Sequence, residues 1–184
     1  MQVKGTSPIA TGKFIRETFG AQGHLRWLNA MTPQTQLVMG QPLLASAWYP
    51  ARTAFFEPME AACRLFYNGE AIGAWEIGHF SALDSLRGVY RAFARLASVS
   101  FMIGKTANIF ASYYQPGKME VMERTDNRIV LRMLDVDEHH PLFDDRIRGW
   151  LAGALEVCGQ KGHTVELGMS LSRGGSFSEF IITY

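Results

Sequence analysis

One long stretch of helical periodicity constrains the fold more strongly than any other feature of the sequence. Between Ala71 and Leu96, apolar side chains recur every three or four residues, and the charged side chains fall mostly between them. This spacing is the period of an amphipathic α-helix, so it predicts a long helix that buries one face. The residues on that face are Ile72, Trp75, His79, Leu83, Leu86, Tyr90, Phe93 and Leu96.

Shorter helical patterns surround the long one. Helices are predicted over 12–31, 33–40, 52–67 and 98–114. Gly20 and Gly23 predict a break in the first of these, and Pro58 predicts a kink or a restart in the third. Thr32 before Pro33 is typical of a helix N-terminus, with a capping side chain followed by proline in the first turn.

The pattern changes from helix to strand after Pro116-Gly117. Two strands, Lys118–Arg124 and Arg128–Leu134, flank a turn, and a helix follows at about 144–158. Strands at 164–171 and 177–183 complete the chain, and Gly174 and Gly175 can supply the positive φ angles of a tight turn between them.

This order predicts an α+β fold. A helical N-terminal half precedes a ββαββ unit, in which four antiparallel strands carry helices on one face. The whole chain, residues 1–184, is expected to form one domain.

Composition excludes several classes of protein. The chain is 47% hydrophobic and has a net charge of +1, which argues against disorder and against nucleic-acid binding. Its two cysteines suggest a reducing compartment, and no apolar run reaches the roughly 18–20 residues of a membrane span. The first residues lack the apolar core of a signal peptide, so the expected location is the cytoplasm.

Several segments together resemble a known superfamily. They are SAWYP at 46–50, IGHFSALDSLRGVYRAFARL at 77–96, YY at 113–114, GWLAGALEVCG at 149–159 and EF at 179–180. With the order of elements, they are similar to the superfamily that unites 4-vinyl-reductase-type domains, haem-NO-binding domains and TRAPP vesicle-tethering subunits. Within it, the chain looks most like a bacterial family of proteins of this length.

The resemblance implies a pocket between the long helices and the sheet, and frequent dimerisation through helices. Relatives use the pocket for hydrophobic molecules such as aromatic effectors, haem or an acyl chain. Some relatives have cysteines at the positions of Ser170 and Ser178, where a hydroxyl cannot replace a thiolate as a soft metal ligand.

The principal hypothesis is a non-enzymatic sensor or carrier that binds a small hydrophobic or aromatic ligand, with no cofactor and no metal. Ligand burial would change how the long helices pack, and a homodimer or a protein partner would respond. The expected pocket residues are Trp75, His79, Tyr90, Phe110, Tyr113, Met133, Trp150 and Phe177. Each is also a residue that a filled core would contain.

Two alternatives remain open at this level. The first is a protein–protein adaptor with a filled core, whose contacts include Arg87, Arg91 and Arg95 at four-residue spacing. The second is a haem-based gas sensor that uses the inward-facing His79 as the iron ligand. Haem-NO-binding domains pair their histidine with a Tyr-x-Ser-x-Arg motif, which this chain lacks.

The segment 135–140, followed by Asp144 and Asp145, is dense in carboxylates and imidazoles. Its spacing fits neither an EF-hand nor a HExxH zinc helix. A solvated loop, with the two aspartates at a helix N-terminus, is the favoured interpretation.

Overall fold

The computed structural model describes residues 1–86, 103–105, 107 and 110–184. Within them, five α-helices are assigned. They are α1 (Thr6–Asn29), α2 (Pro33–Met39), α3 (Glu57–Phe66), α4 (Ile72–Ser85) and α5 (Pro141–Val157). A π-helical turn, Arg52–Phe56, leads into α3, and a 3₁₀ turn, Phe110–Ser112, precedes the strands of the second half.

The helical first half agrees with the sequence pattern in outline, although α1 begins at Thr6, six residues before the predicted start, and Gly23 does not interrupt it. Thr32 caps α2 through a hydrogen bond from Thr35 N to its Oγ1, and Pro33 starts the helix. α1 is interrupted at Gly20, where φ is 71° and ψ is −177°, a backbone region that is accessible almost only to glycine. A helix is confirmed from Ile72 to Ser85, but the predicted buried face is wrong. Ile72 is exposed and Trp75, His79, Leu83 and Leu86 are only partly buried, because the close contact with α5 is made by small residues on another face of α4. The buried residues of α4 are Gly73, Ala74, Ile77, Gly78, Ser81 and Ala82. The rest of the predicted long helix, with Arg87, Tyr90, Arg91 and Arg95, lies outside the described residues.

Two antiparallel sheets are present among the described residues. The strands are β1 (Gln2–Lys4), β2 (Trp48–Pro50), β3 (Tyr114–Gln115), β4 (Lys118–Arg124), β5 (Arg128–Leu134), β6 (Thr164–Leu167) and β7 (Ser178–Thr183). The larger sheet has the order β4-β5-β7-β6 and confirms the predicted ββαββ unit. The smaller sheet, β2-β1-β3, joins the start of the chain to its middle and was not predicted.

Alternation along the strands directs one face of the larger sheet into the core. Leu131 of β5 and Phe180 of β7 are paired in register and fully buried. They share an apolar core with Phe143 and Leu151 of α5. The intervening strand residues, such as Arg132 and Glu179, are partly exposed and form an ion pair at 2.9 Å on the other face.

The turn between β6 and β7 differs from the predicted tight hairpin. A 3₁₀ turn, Leu171–Arg173, fills it, and Gly174 ends that turn with a φ of 85°. Gly175 does not adopt a positive φ. It lies where a Cβ would come within 2.7 Å of the Ser170 carbonyl oxygen, so this glycine is required by close packing.

Helices α4 and α5 cross with their backbones in direct contact. A Cβ added at Gly78 would lie 2.1 Å from the Arg146 carbonyl oxygen, and one at Gly149 would lie 2.0 Å from the Trp75 carbonyl oxygen. Only glycine permits this approach. The crossing fixes the middle of α4 against the middle of α5. Among the described residues, no helix combines the length and apolarity that crossing a bilayer requires.

Candidate ligand-binding site

A cavity of about 290 Å³ lies beside this crossing, between the start of α1, the end of α4, α5 and the strands β3 and β4. Its volume is at the lower end of the range for small-molecule sites, about 300–1,000 Å³. The described residues that line it are Thr6, Ser7, Ile9, Ala10, Ala45, Ser81, Asp84, Ser85, Phe110, Tyr113, Tyr114, Met119, Arg146, Ile147, Trp150 and Leu151.

Four of these residues form a buried polar cluster in a mainly apolar wall, here called the Arg146 cluster: Ser7, Ser81, Tyr114 and Arg146. Arg146 Nη2 donates a hydrogen bond to Ser81 Oγ at 2.8 Å, which links α5 to α4. Arg146 is 2% exposed, and its guanidinium lies 5.8 Å from the ring centre of Phe55. Among the described residues, neither Arg146 Nη1 nor Ser7 Oγ has a hydrogen-bond partner of normal geometry.

Burial dominates the electrostatics of this cluster. It lowers the pKa of Arg146 to about 10, although the neighbouring Tyr114 opposes the change. Burial raises the pKa of Tyr114, which Arg146 and Ser7 oppose. Both groups therefore keep their ordinary protonation at neutral pH, with a charged guanidinium and a neutral phenol. The cavity wall carries one buried positive charge.

Three of the predicted pocket residues line this cavity: Phe110, Tyr113 and Trp150. Tyr90 lies outside the described residues. Met133 is buried in the sheet core, and Trp75 and His79 lie between α4 and α5, with their rings stacked at 4.9 Å. His79 Nε2 is 3.0 Å from Glu156 Oε1, although the contact lacks hydrogen-bond geometry.

The expectation that Phe177 faces inward is wrong. Its ring lies 4.0 Å from the guanidinium carbon of Arg132 and is partly exposed. The cause is the two-residue period of β7, whose buried face carries Ser178, Phe180 and Ile182. Phe177 therefore falls on the opposite face, with Glu179.

Sequence reasoning missed the Arg146 cluster. Arg146 follows Phe143 by three residues and precedes Trp150 by four, so the helical period places it on the buried face of α5. A charged residue on an apolar helix face was the one feature of the sequence that could have indicated a buried arginine here. For Ser7, Ser81 and Tyr114, no comparable signal exists, because small polar residues are common on buried and exposed faces alike.

The segment 135–140 does not converge on one point. Asp135 pairs with Lys118 at 3.2 Å, Glu138 with the N-terminal amine at 3.1 Å and His140 with Glu60 at 2.8 Å. Across the described parts of the chain, no group of three or more His, Cys, Asp or Glu side chains is arranged to hold a metal ion.

Ser170 and Ser178 are both buried and stabilise the turn that precedes β7. Ser170 Oγ donates to Asp144 Oδ2 at 2.6 Å, and Ser178 Oγ accepts from the Leu171 amide at 3.0 Å. Burial raises the pKa of Asp144, while the hydroxyls of Ser170 and Ser178 oppose the rise. These contacts tie α5 to the last hairpin.

The fold is similar to that of H-NOX proteins. An H-NOX protein from S. oneidensis in the Fe(II)NO state matches with a TM-score of 0.74 and 14% identity, over 97% of each chain. An unliganded Fe(II) H-NOX protein from K. algicida gives 0.67 and 11%, over 98% of this chain and 95% of that one. The Fe(II)CO H-NOX from Shewanella woodyi gives 0.68 and 14%, over 97% and 93%.

These TM-scores establish a shared fold, so the chain has an H-NOX-like α+β fold. No protein-family model matches the chain, and no curated protein matches its sequence significantly.

The donor set of the cavity does not fit a haem held by histidine or cysteine. All five histidines and both cysteines of the chain lie within the described residues, and none of them lines the cavity. The described side chains there that could ligate iron are the phenols of Tyr113 and Tyr114 and the thioether of Met119. His79, which would be the iron ligand in the haem alternative, faces Glu156 of α5 instead.

Proposed function

We propose that the chain is a non-enzymatic sensor or carrier domain that binds a small, largely apolar ligand in the cavity between α1, α4 and α5. The observation that carries the proposal is the cavity itself, which combines apolar walls with a small, convergent polar cluster. This combination is typical of sites for small organic molecules. The chain would act in the cytoplasm and signal through helix packing or dimer contacts.

Two features of the cavity wall support the proposal that ligand binding changes the packing of the helices. Ser81 and Arg146 belong to different helices and are joined by a hydrogen bond across the cavity wall. Trp150 and Ile9 contribute large apolar surfaces from α5 and α1. A ligand in contact with these groups touches three helices at once, so its burial is coupled to their relative positions.

A second candidate is a haem-based gas sensor, which the likeness to H-NOX proteins in Fe(II) states favours. The absence of histidine and cysteine from the cavity wall argues against it, and iron ligation would have to use a phenol or a thioether. The adaptor hypothesis, with contacts through Arg87, Arg91 and Arg95, remains a prediction about residues outside the described ranges.

A blocking substitution tests the small-ligand proposal, with 1-decanol as the probe. Ala10 lines the cavity from α1, and Ala21 is exposed on the same helix. We expect saturating 1-decanol to raise the Tm of the wild type and of Ala21→Phe by about 5–10 °C, as expected for binding at about 100 times Kd. Ala10→Phe, which fills the cavity, should remove the shift.

Native mass spectrometry of the same three proteins measures the number of bound decanol molecules directly. One decanol adduct per chain is expected in the wild type and in Ala21→Phe but not in Ala10→Phe. Equal shifts in all three proteins would place any bound decanol elsewhere and contradict the proposal.

A further inference from the structure

Arg146 is a buried cation that forms no ion pair within the described part of the chain. Its guanidinium is 2% exposed, and its neighbours are neutral hydroxyls: Arg146 donates to Ser81 Oγ at 2.8 Å and interacts with the phenol of Tyr114. No carboxylate of those residues lies within ion-pair distance of it. The nearest acidic residues on α5 are engaged elsewhere, Asp144 with Ser170 and Asp145 with Arg148.

An arrangement of this kind is costly in a folded protein. A buried charge normally has a partner of opposite charge, because desolvation is otherwise uncompensated. Arg146 Nη1 also lacks an acceptor, while guanidinium nitrogens are strong donors with a geometry that suits carboxylates. Because Arg146 lines the cavity, an anion bound there can contact it.

The groups around Arg146 would suit the same anion. Ser7 Oγ, which makes no hydrogen bond of normal geometry, and the neutral phenol of Tyr114 beside it are hydroxyl donors on the same wall. Asp84, the acidic residue among the described lining residues, has Lys13 Nζ at 2.6 Å as a counter-ion. The charge at the Arg146 end of the cavity is therefore positive.

We infer that the ligand carries a carboxylate, which pairs with Arg146 while an apolar body occupies the rest of the cavity. This inference rests on the proposed function and adds the chemical class of the ligand, an aliphatic or aromatic carboxylic acid. Ser81, already bonded to Arg146, holds the guanidinium in place from α4. Ionised carboxylates enter apolar cavities poorly without such a partner, so Arg146 would decide between an acid and its neutral analogue.

The test compares matched acids and alcohols by isothermal titration calorimetry at pH 7.5. The pairs are decanoate with 1-decanol and 2-naphthoate with 2-naphthol, in which only the polar head differs materially. We expect the wild type to bind the acid of at least one pair about tenfold or more tightly than the alcohol, as one hydrogen bond between charged groups predicts. Arg146→Met should reverse this preference while alcohol binding stays within about threefold.

Arg148→Met is the matched control, because Arg148 lies two residues further along α5, is paired with Asp145 and does not line the cavity. It should keep the wild-type preference, and Arg146→Lys should keep part of it. Wild type that binds both members of each pair equally would overturn the carboxylate site and leave the small-ligand proposal intact. Wild type that binds neither member of either pair would overturn the proposed function, and this inference with it. The wild-type ratio and Arg146→Lys decide the question if Arg146→Met does not fold.

Discussion

At the scale of single residues, Glu60 of α3 joins the π-helical turn Arg52–Phe56 to the start of α5. Its two carboxylate oxygens accept hydrogen bonds from Arg52 at 2.8 and 2.9 Å, and its Oε1 also lies 2.8 Å from His140 Nε2. His140 in turn caps α5, with its Nδ1 accepting from the Leu142 amide at 3.2 Å. Nδ1 can accept only in the neutral ring with the proton on Nε2, so Glu60 fixes the tautomer that caps the helix.

Burial raises the pKa of Glu60, but the hydrogen bonds from Arg52 and His140 outweigh it, and the net pKa is lowered. A carboxylate with a lower pKa in the folded state stabilises the fold fully above its unfolded pKa of about 4.3. The contribution is lost as the pH falls through the folded value.

We predict that Glu60→Gln destabilises the protein by about 1 kcal/mol at pH 7, as expected for a partly exposed, bidentate pair. The difference from the wild type should begin to shrink as the pH falls below the unfolded pKa of about 4.3, and it should vanish once the pH is below the lowered pKa of the folded carboxyl. Urea unfolding at pH 7 and pH 3.5 measures both values. Glu17→Gln is the control, because Glu17 is exposed and 3.9 Å from Lys13, and it should change stability little at either pH. A pH-independent loss in Glu60→Gln would show that packing, not charge, is the cause.

At the scale of elements, the glycine crossing of α4 and α5 is the contact that places the cavity wall. It lets the two backbones touch, so Ser81 on α4 is within hydrogen-bond reach of Arg146 on α5. Helix propensity argues against Gly78 and Gly149 in these positions, since glycine in a helix interior costs about 1 kcal/mol relative to alanine. Packing therefore outweighs propensity here.

Two glycine-to-alanine substitutions should have opposite effects on stability, because Gly149 lies in the crossing and Gly12 does not. Gly149→Ala should destabilise the protein by about 1–3 kcal/mol or more, because its Cβ would lie 2.0 Å from the backbone oxygen of Trp75. Gly12→Ala on α1 should stabilise it by up to about 1 kcal/mol, because its Cβ would meet only His24 Nε2 at 3.9 Å. Thermal unfolding of both variants tests this. A stable Gly149→Ala would mean that the helices separate at little cost.

Elements with a strong local pattern were predictable, and short or tertiary ones were not. The bounds of β4 and β5 agree with the sequence to the residue, because alternation and a polar turn define them locally. β1 has three residues, too few for any period, and it forms only because β2 and β3 pair with it. The prediction of a tight hairpin after Ser170 was wrong, because the hydrogen bonds of the buried Ser170 and Ser178 shape this turn. Local sequence patterns do not indicate such bonds.

At the scale of the whole molecule, the fold class followed from the order of elements, but the cavity did not. Its wall combines residues from Thr6 to Leu151, and only their joint placement distinguishes a lining residue from a core residue. Phe110 and Trp150 line the cavity, whereas Met133 and Phe55 are core residues of the same chemical kind. Local periodicity can predict that a residue points inward, but it cannot predict whether that residue contacts other core residues or lines a cavity.

The haem alternative is also a property of the whole fold, and added hemin tests it. Because no histidine or cysteine lines the cavity, we expect only the broad absorption of free hemin, without a sharp Soret band. A stoichiometric Soret band would favour the gas sensor. Tyr114→Phe and His79→Ala would then identify the ligand, since a phenolate-bound haem survives the second change and not the first.

The glycine crossing also determines which parts of the cavity wall can move. Backbones in van der Waals contact have no free volume between them, so α4 and α5 respond to a displacement as one rigid body. The opposite wall belongs to the first turns of α1, which the break at Gly20 separates from the rest of that helix. A ligand that is larger than the empty cavity would therefore displace Thr6–Ala10 and strand β1 beside it. Under the proposed function, ligand binding would then change the position of the smaller sheet.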